Sequence, residues 1–176
     1  MKNLSRPDAC SSGLTLLELI VAIAIGIAIA TSVIVISSTF KKRAEKVKCI
    51  SQMRTLHAAF TAHLTDKGQW PQLPEDMGEW NESKFFGVFI RALEPYGAAQ
   101  DTWICPADKI YIEQSEIDED TYFGTYVPTP FDKYPATPLR WNQPWVIERG
   151  DMHGKGAHIL MPDGSVNESR NPFYGR

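Results

Sequence analysis

The feature that most constrains this chain is an uninterrupted apolar run near its start, LTLLELIVAIAIGIAIATSVIVI at residues 14–36. Glu18 is the only ionisable side chain in this run. About 20 apolar residues are enough for a helix to cross a bilayer. The run is too long for the apolar core of an ordinary secretory signal, which covers about 7–15 residues. We therefore expect residues 14–38 to form a membrane-spanning helix.

The helix is expected to continue beyond the apolar run, because no Gly or Pro occurs from Thr39 to Lys67. Apolar residues recur there at steps of three and four, which predicts an amphipathic helix over residues 39–67 with one face on a domain core. Gly68 then supplies a C-terminal cap. The predicted core-facing stripe contains Val47, Ile50, Met53, Leu56, Phe60 and Leu64.

The rest of the chain, residues 68–176, is divided by frequent Pro and Gly, which excludes long helices and predicts a single head domain. Short apolar runs between these breakers are typical of strands, and Pro162-Asp163-Gly164 is typical of a hairpin turn. The predicted elements are a helix at 85–93, strands at 121–127, 145–148 and 157–161, and a last strand that starts at 165–166.

Net charge argues against a nucleic-acid partner. The chain carries 18 basic and 21 acidic residues, a formal charge of −3. Nucleic-acid-binding domains instead present a basic patch or stripe. We expect no nucleic acid to bind the head.

The residues that lead into the apolar run are Ser12-Gly13-Leu14-Thr15-Leu16-Leu17-Glu18. They closely resemble the prepilin processing site of type IV pilins and type II secretion pseudopilins. The resemblance implies that prepilin peptidase cuts after Gly13, so residues 1–13 are a leader and Leu14 becomes the N-methylated first residue. It also implies that Glu18 takes the acidic fifth position of the mature chain, where it acts in assembly. Leu14 stands where Phe is commoner, and Val35 stands where many members have Pro.

Glu18 has a physical reason to matter, because a carboxylate inside a membrane helix is costly unless it is paired. In the pilin family its proposed partner is the N-terminal amine of an adjacent subunit, and each buried charge then offsets the cost of the other. The alternative is that Glu18 lies at the headgroup level near the start of the helix, where the helix dipole favours an anion.

A second resemblance covers the C-terminal half, where a histidine is followed by nine residues and Asp-Gly. These residues are His153, Asp163 and Gly164, in GDMHGKGAHILMPDGSV. The pattern resembles bacterial prepilin-like proteins, as do the segments KCISQMRTLHAAF, GQWPQLP and WICPAD. The fold implied is α+β and pilin-like: a long N-terminal transmembrane and amphipathic helix packed on a small antiparallel β-sheet.

The histidines, cysteines and carboxylates do not form an enzyme or metal signature. His57 and His63 are six residues apart and fall on different faces of a helix. Cys105 and His153 could pair as thiol and imidazole, but no local signature accompanies them. We expect His153 and Asp163 to form a hydrogen-bonded clamp on the final hairpin and not an enzyme dyad, because no nucleophile stands at a recognisable spacing. The acidic run at 113–120 lacks a calcium-loop pattern and is expected to be a solvated loop. We expect no catalytic residue, no metal and no cofactor.

Removal of the leader would take Cys10 away and leave Cys49 and Cys105. An even count suits one disulfide in an oxidising compartment, and we predict this bond. The alternative is two separate buried thiols.

Together these expectations describe a structural subunit of a pilus or pseudopilus filament. Its partners would be prepilin peptidase, other pilin or pseudopilin subunits and the inner membrane, with a periplasmic or extracellular head. Basic residues at 41–48 favour the opposite topology, but the processing junction requires a cytoplasmic Gly13. The alternative is a signal-anchored enzyme or ligand-binding module that uses His153, Asp163 and Cys105.

Overall fold

The computed structural model describes residues 15–75, 78–108, 122–133 and 138–169, with side chains described outside 32–38 and 138–139. The predicted leader, the cleavage residues Gly13 and Leu14, and the acidic run at 113–120 lie outside the described residues. Within them the chain is α+β, with helices and one small antiparallel sheet, as predicted.

The longest element is helix α1, Leu16–Lys67. It ends where predicted, because Gly68 adopts a positive φ of 69° and its N–H donates to the Leu64 carbonyl at 2.9 Å. The chain divides into two units, Met1–Phe40 and Lys41–Arg176.

No helix within the described residues combines the length and the hydropathy needed to cross a membrane. The membrane-spanning role expected for residues 14–38 therefore stays a prediction.

Among its described residues, the second unit contains two further α-helices and four strands. Helix α2 is Glu82–Leu93, and Asn81 caps it by accepting a hydrogen bond from the Lys84 N–H at 3.0 Å. Short 3-10 helices follow at Glu94–Tyr96 and Gln100–Trp103. The remaining elements are β1 (Tyr126–Pro128), helix α3 (Pro138–Asn142), β2 (Val146–Glu148), β3 (Ala157–Leu160) and β4 (Val166–Ser169).

The sheet is a meander in the order β1-β2-β3-β4, with every neighbouring pair antiparallel. Strand β1 starts at Tyr126, later than predicted. The reason is local, because the Thr125 N–H donates to the Trp103 carbonyl at 2.8 Å and ties this stretch to a loop. Gly124 also packs closely in this stretch, because a Cβ atom added at this residue would lie 2.8 Å from the Phe86 ring.

The core of the second unit forms around one face of α1. Met53, Leu56 and Phe60 are fully buried, as the stripe predicted. Phe60 stacks on Trp70 with ring centroids 4.4 Å apart. The prediction that Val47 faces the core is wrong, because this residue is 67% exposed. At 100° per residue it lies about 120° around the helix from Met53, beyond the edge of the buried face.

Candidate functional site

Five buried side chains with sulfur, nitrogen or oxygen donors meet between α1 and the sheet, and we call them the buried cluster. Four of them are at most 1% exposed, and the side chain of the fifth, His153, is 4% exposed. The members are Cys49, Cys105, Glu148, His153 and His158.

The sheet supplies Glu148 and His158. Alternation in β2 and β3 turns both side chains to the buried face, and the register that pairs Ile147 with Ile159 brings the two opposite each other. The Glu148 Oε2 atom accepts hydrogen bonds from the His158 backbone N–H at 2.9 Å and from His158 Nδ1 at 2.7 Å. His158 thus fixes the orientation of the carboxylate.

A proline turn positions Cys105. Its carbonyl accepts the Asp108 N–H at 2.9 Å, which closes the Cys-Pro-Ala-Asp turn. The Asp108 carboxylate then accepts the Thr125 hydroxyl at 2.7 Å, and the same hydroxyl accepts the Cys105 N–H at 3.1 Å. The turn therefore anchors the backbone of Cys105 to the residue before β1.

The loop between β2 and β3 positions His153. Asp151 Oδ1 accepts the backbone N–H groups of Gly154 at 2.6 Å and Lys155 at 3.0 Å, which folds the loop on itself. His153 Nε2 then lies 3.4 Å from Cys105 Sγ and 3.8 Å from Glu148 Oε1.

Helix α1 supplies Cys49. Its Sγ lies 3.5 Å from Glu148 Oε1 and 3.6 Å from His158 Nδ1. Cys49, Glu148, His153 and His158 each offer one donor atom, and these atoms lie within 4.8 Å of one another. A set of this kind could hold a metal ion.

Burial and hydrogen bonding set the charge of each group. Burial alone would raise the pKa of Glu148, but the hydrogen bonds from His158 outweigh it and hold that pKa below its usual value. A hydrogen bond with Cys105, together with burial, raises the pKa of the Cys49 thiol. Burial lowers the pKa of His153. In the absence of a metal, the cluster thus combines a carboxylate, a neutral His153 imidazole and the Cys49 thiol.

The residues of the H-x9-DG pattern have separate roles. His153 belongs to the buried cluster, whereas Asp163 Oδ1 accepts the Ser165 N–H at 2.9 Å in the β3–β4 turn. Gly164 adopts a φ of 79°, and a Cβ there would lie 3.2 Å from the His57 ring. Among the described residues His153 and Asp163 make no contact, so the predicted clamp between them is wrong.

Cys49 and Cys105 are both buried free cysteines. They belong to the same buried cluster, where Cys49 Sγ lies 3.5 Å from Glu148 Oε1 and Cys105 Sγ lies 3.4 Å from His153 Nε2. The structure agrees with the alternative of two buried thiols, while the disulfide stays a prediction.

Glu18 forms a helix cap in the first unit. Its Oε2 atom accepts the Thr15 N–H at 2.9 Å, and the Thr15 hydroxyl accepts the Glu18 N–H at 3.3 Å. This reciprocal pair is a capping box at the start of α1. A single copy of the chain therefore satisfies Glu18 locally, as the alternative interpretation of this residue expects.

The other two helix histidines lie apart, as predicted. His57 Nε2 is 2.8 Å from the Pro162 carbonyl and the ring stacks on Trp145, whereas His63 packs edge-on against Tyr96. Both serve packing of the second unit.

Glu148 and His158 were missed by the sequence analysis. The signal was present, because alternation in Val-Ile-Glu and Ala-His-Ile-Leu places one polar residue of each strand on its apolar face. A polar side chain on a buried strand face requires a partner, and two such strands in one hairpin predict that they pair.

No protein-family model, curated protein or solved structure matches this chain.

Proposed function

We propose that this chain is a prepilin-like subunit, processed after Gly13, held in the inner membrane and assembled through α1 into a type IV pilus-like or type II secretion pseudopilus filament. The observation that carries the proposal is the apolar surface at the start of α1. Large apolar side chains there are 49–76% exposed, namely Leu16, Leu17, Leu19, Ile20, Val21, Ile23, Ile25, Ile27 and Ile29.

This surface has no polar side to face water. Apolar residues surround the helix, and a helix that is apolar on all sides is stable only when it is covered on all sides. Each large apolar side chain that is removed from water contributes about 1.5–3 kcal/mol. Lipid would cover the surface before assembly, and helices of neighbouring subunits would cover it in the filament.

Glu18 gives such a helix its register in the filament. In one chain it caps α1 through Thr15, and the resemblance to pilins supplies a second partner, the N-terminal amine of the adjacent subunit. Exchange of the local cap for that amine would link subunits at one fixed axial offset. Apolar contact alone does not set such an offset, because it is not directional.

The rival function, a tethered enzyme or binding module, has one supporting observation, the 3.4 Å approach of Cys105 Sγ to His153 Nε2. Both groups are buried, with Cys105 fully inaccessible. A reactive cysteine lies in a partly exposed electropositive site, which this is not. Asp163, the third residue of that hypothesis, is engaged in a turn elsewhere. The geometry therefore favours a structural role for the head.

Processing tests the proposal most directly. The chain should be co-expressed with a prepilin peptidase, and the mature N-terminus read by mass spectrometry. We expect methylated Leu14 in the wild type and the full-length precursor for Gly13→Leu. Gly26→Leu is the matched control, because a Cβ at Gly26 meets nothing within 4 Å, and it should be processed normally. An uncut wild-type chain, or normal cleavage of Gly13→Leu, would overturn the proposal.

A further inference from the structure

We propose that the buried cluster is a structural zinc site, in which Cys49 Sγ, Cys105 Sγ, His153 Nε2 and Glu148 Oε1 bind one Zn²⁺ ion. His158 would hold the Glu148 carboxylate in place without binding the metal. This inference concerns the head and is independent of filament assembly.

Three distances between the donor atoms fit the edges of a zinc tetrahedron. Zinc binds cysteine sulfur at about 2.3 Å and histidine nitrogen or carboxylate oxygen at about 2.0–2.2 Å, so neighbouring ligand atoms stand roughly 3.3–3.8 Å apart. The separations are 3.5 Å for Cys49 and Glu148, 3.4 Å for Cys105 and His153, and 3.8 Å for His153 and Glu148. Each of the two sulfur atoms lies within 3.5 Å of another proposed ligand atom. These three separations match those of neighbouring ligands around zinc.

The chemistry of the donors selects the metal. Two thiolates with one imidazole are soft enough to favour zinc over calcium or magnesium, which take oxygen ligands. The cluster is also closed, because its side chains are at most 4% exposed and leave no open side for substrate. A zinc ion held by four protein ligands with no open position serves a structural role.

The groups around the ligands have the arrangement that metal sites require. Glu148 Oε2 accepts two hydrogen bonds from His158, which leaves Oε1 for the metal. The Thr125 and Asp108 pair fixes the backbone of Cys105. Such outer contacts orient ligands and are needed for tight binding.

The proposed site would join parts of the head that are distant in sequence. Cys49 comes from α1, Cys105 from the proline turn, Glu148 from β2 and His153 from the β2–β3 loop. Zinc would therefore link the helix, the turn and the sheet, which a disulfide between two cysteines does only in part.

The test is the zinc content of the full chain, purified in detergent without a metal-affinity tag or chelator and measured by elemental mass spectrometry. We expect about one zinc per chain in the wild type and a loss of at least about 90% in Cys105→Ser and His153→Gln. His63→Gln is the control, because His63 is buried on α1 outside the cluster, and it should keep its zinc. Equal zinc in all four proteins, or none in the wild type after incubation with zinc chloride, would overturn the proposal.

A measurement on the wild type avoids the risk that a variant fails to fold. Cobalt(II) added to metal-free protein should give thiolate-to-cobalt charge-transfer bands and the intense visible bands of tetrahedral cobalt, and zinc should abolish both. Intact mass of thiol-labelled protein should show two reactive cysteines once the metal is removed from the mature chain. Absence of the charge-transfer bands, or a Cys49–Cys105 disulfide in protein from the native compartment, would refute zinc binding.

Discussion

Two stretches of α1 are both rich in apolar residues but differ in how these residues are spaced and in where their side chains go. From Leu16 to Ile29 the large apolar residues are all exposed, whereas from Cys49 to Phe60 they alternate with polar residues and bury one face. Periodicity explains the difference. A stripe can be buried by a partner on one side, which the chain's own head provides. A helix that is apolar all round requires cover on every side, which one small domain cannot supply.

Under the proposed function, the two stretches of α1 have different roles. Changes in the first stretch should alter assembly and leave the stability of the head unchanged. Changes in the second should do the reverse. Each of the following experiments measures both properties.

The largest effect is expected for Glu18→Ala. The variant should be processed and inserted but should assemble poorly, because the amine of a neighbouring subunit loses its partner, a loss on the order of 3–5 kcal/mol for a broken buried pair. The measurement is the yield of sheared filaments, with the thermal unfolding of the head beside it. Glu18→Asp keeps the charge and should retain part of the yield. If the Glu18→Ala variant gave the same filament yield as the wild type, pairing of Glu18 with the neighbouring amine would be contradicted.

For Phe60→Ala we expect a loss of similar size, but in the free energy of unfolding of the head. The ring contacts Trp70, Trp103 and Trp145, so its loss leaves a core cavity and costs about 3–5 kcal/mol of unfolding free energy. Ile20→Ala is the matched change in the first stretch and should leave the free energy of unfolding of the head within about 0.5 kcal/mol. Chemical denaturation followed by tryptophan fluorescence measures both. Equal destabilisation of the head by the two variants would contradict separate roles for the two stretches of α1.

A smaller loss of stability is expected for Thr125→Val, which keeps shape but removes the hydroxyl. The Cys105 N–H would lose its acceptor and Asp108 a donor, at a cost of about 1–3 kcal/mol. Thr65→Val is the control, because Thr65 is exposed on α1 and its hydroxyl only returns to the Thr61 carbonyl. An unchanged denaturation midpoint for Thr125→Val would show that the turn does not depend on this network.

The smallest effect is a pH dependence at His63. Burial lowers the pKa of His63 below the value of 6.5 that applies to the unfolded chain, against the opposing effect of a hydrogen bond to the Ala92 carbonyl. The unfolded state then binds the proton more readily, so stability falls as the pH drops through about 6.5 and levels off below the folded pKa. His63→Gln should flatten this part of the stability profile. A profile identical to that of the wild type would mean that His63 is not responsible.

The elements of the fold follow from local signals, and the cluster does not. The end of α1 at Gly68, the start of β3 at Ala157 and the turn at Asp163 are all set by neighbouring residues, so the sequence predicts them. The prediction that Val47 faces the core was wrong, because a periodic pattern does not define the edge of a buried face. Glu148 and His158 each carry a local signal, as the one polar residue on an apolar strand face, but their contacts with Cys49 and His153 depend on tertiary packing.

The sequence distances within the buried cluster also set an order of events for a chain that is made from its N-terminus. Glu148 and His158 are 10 residues apart and can meet as soon as their hairpin forms, whereas Cys49 lies 109 residues before His158. The Cys49 thiol therefore waits through most of synthesis without its strand partners, and an exposed thiol is open to oxidation or mispairing in that interval. Assembly of the cluster with a free Cys49 thiol thus requires this early cysteine to stay reduced until the β2–β3 hairpin has been made.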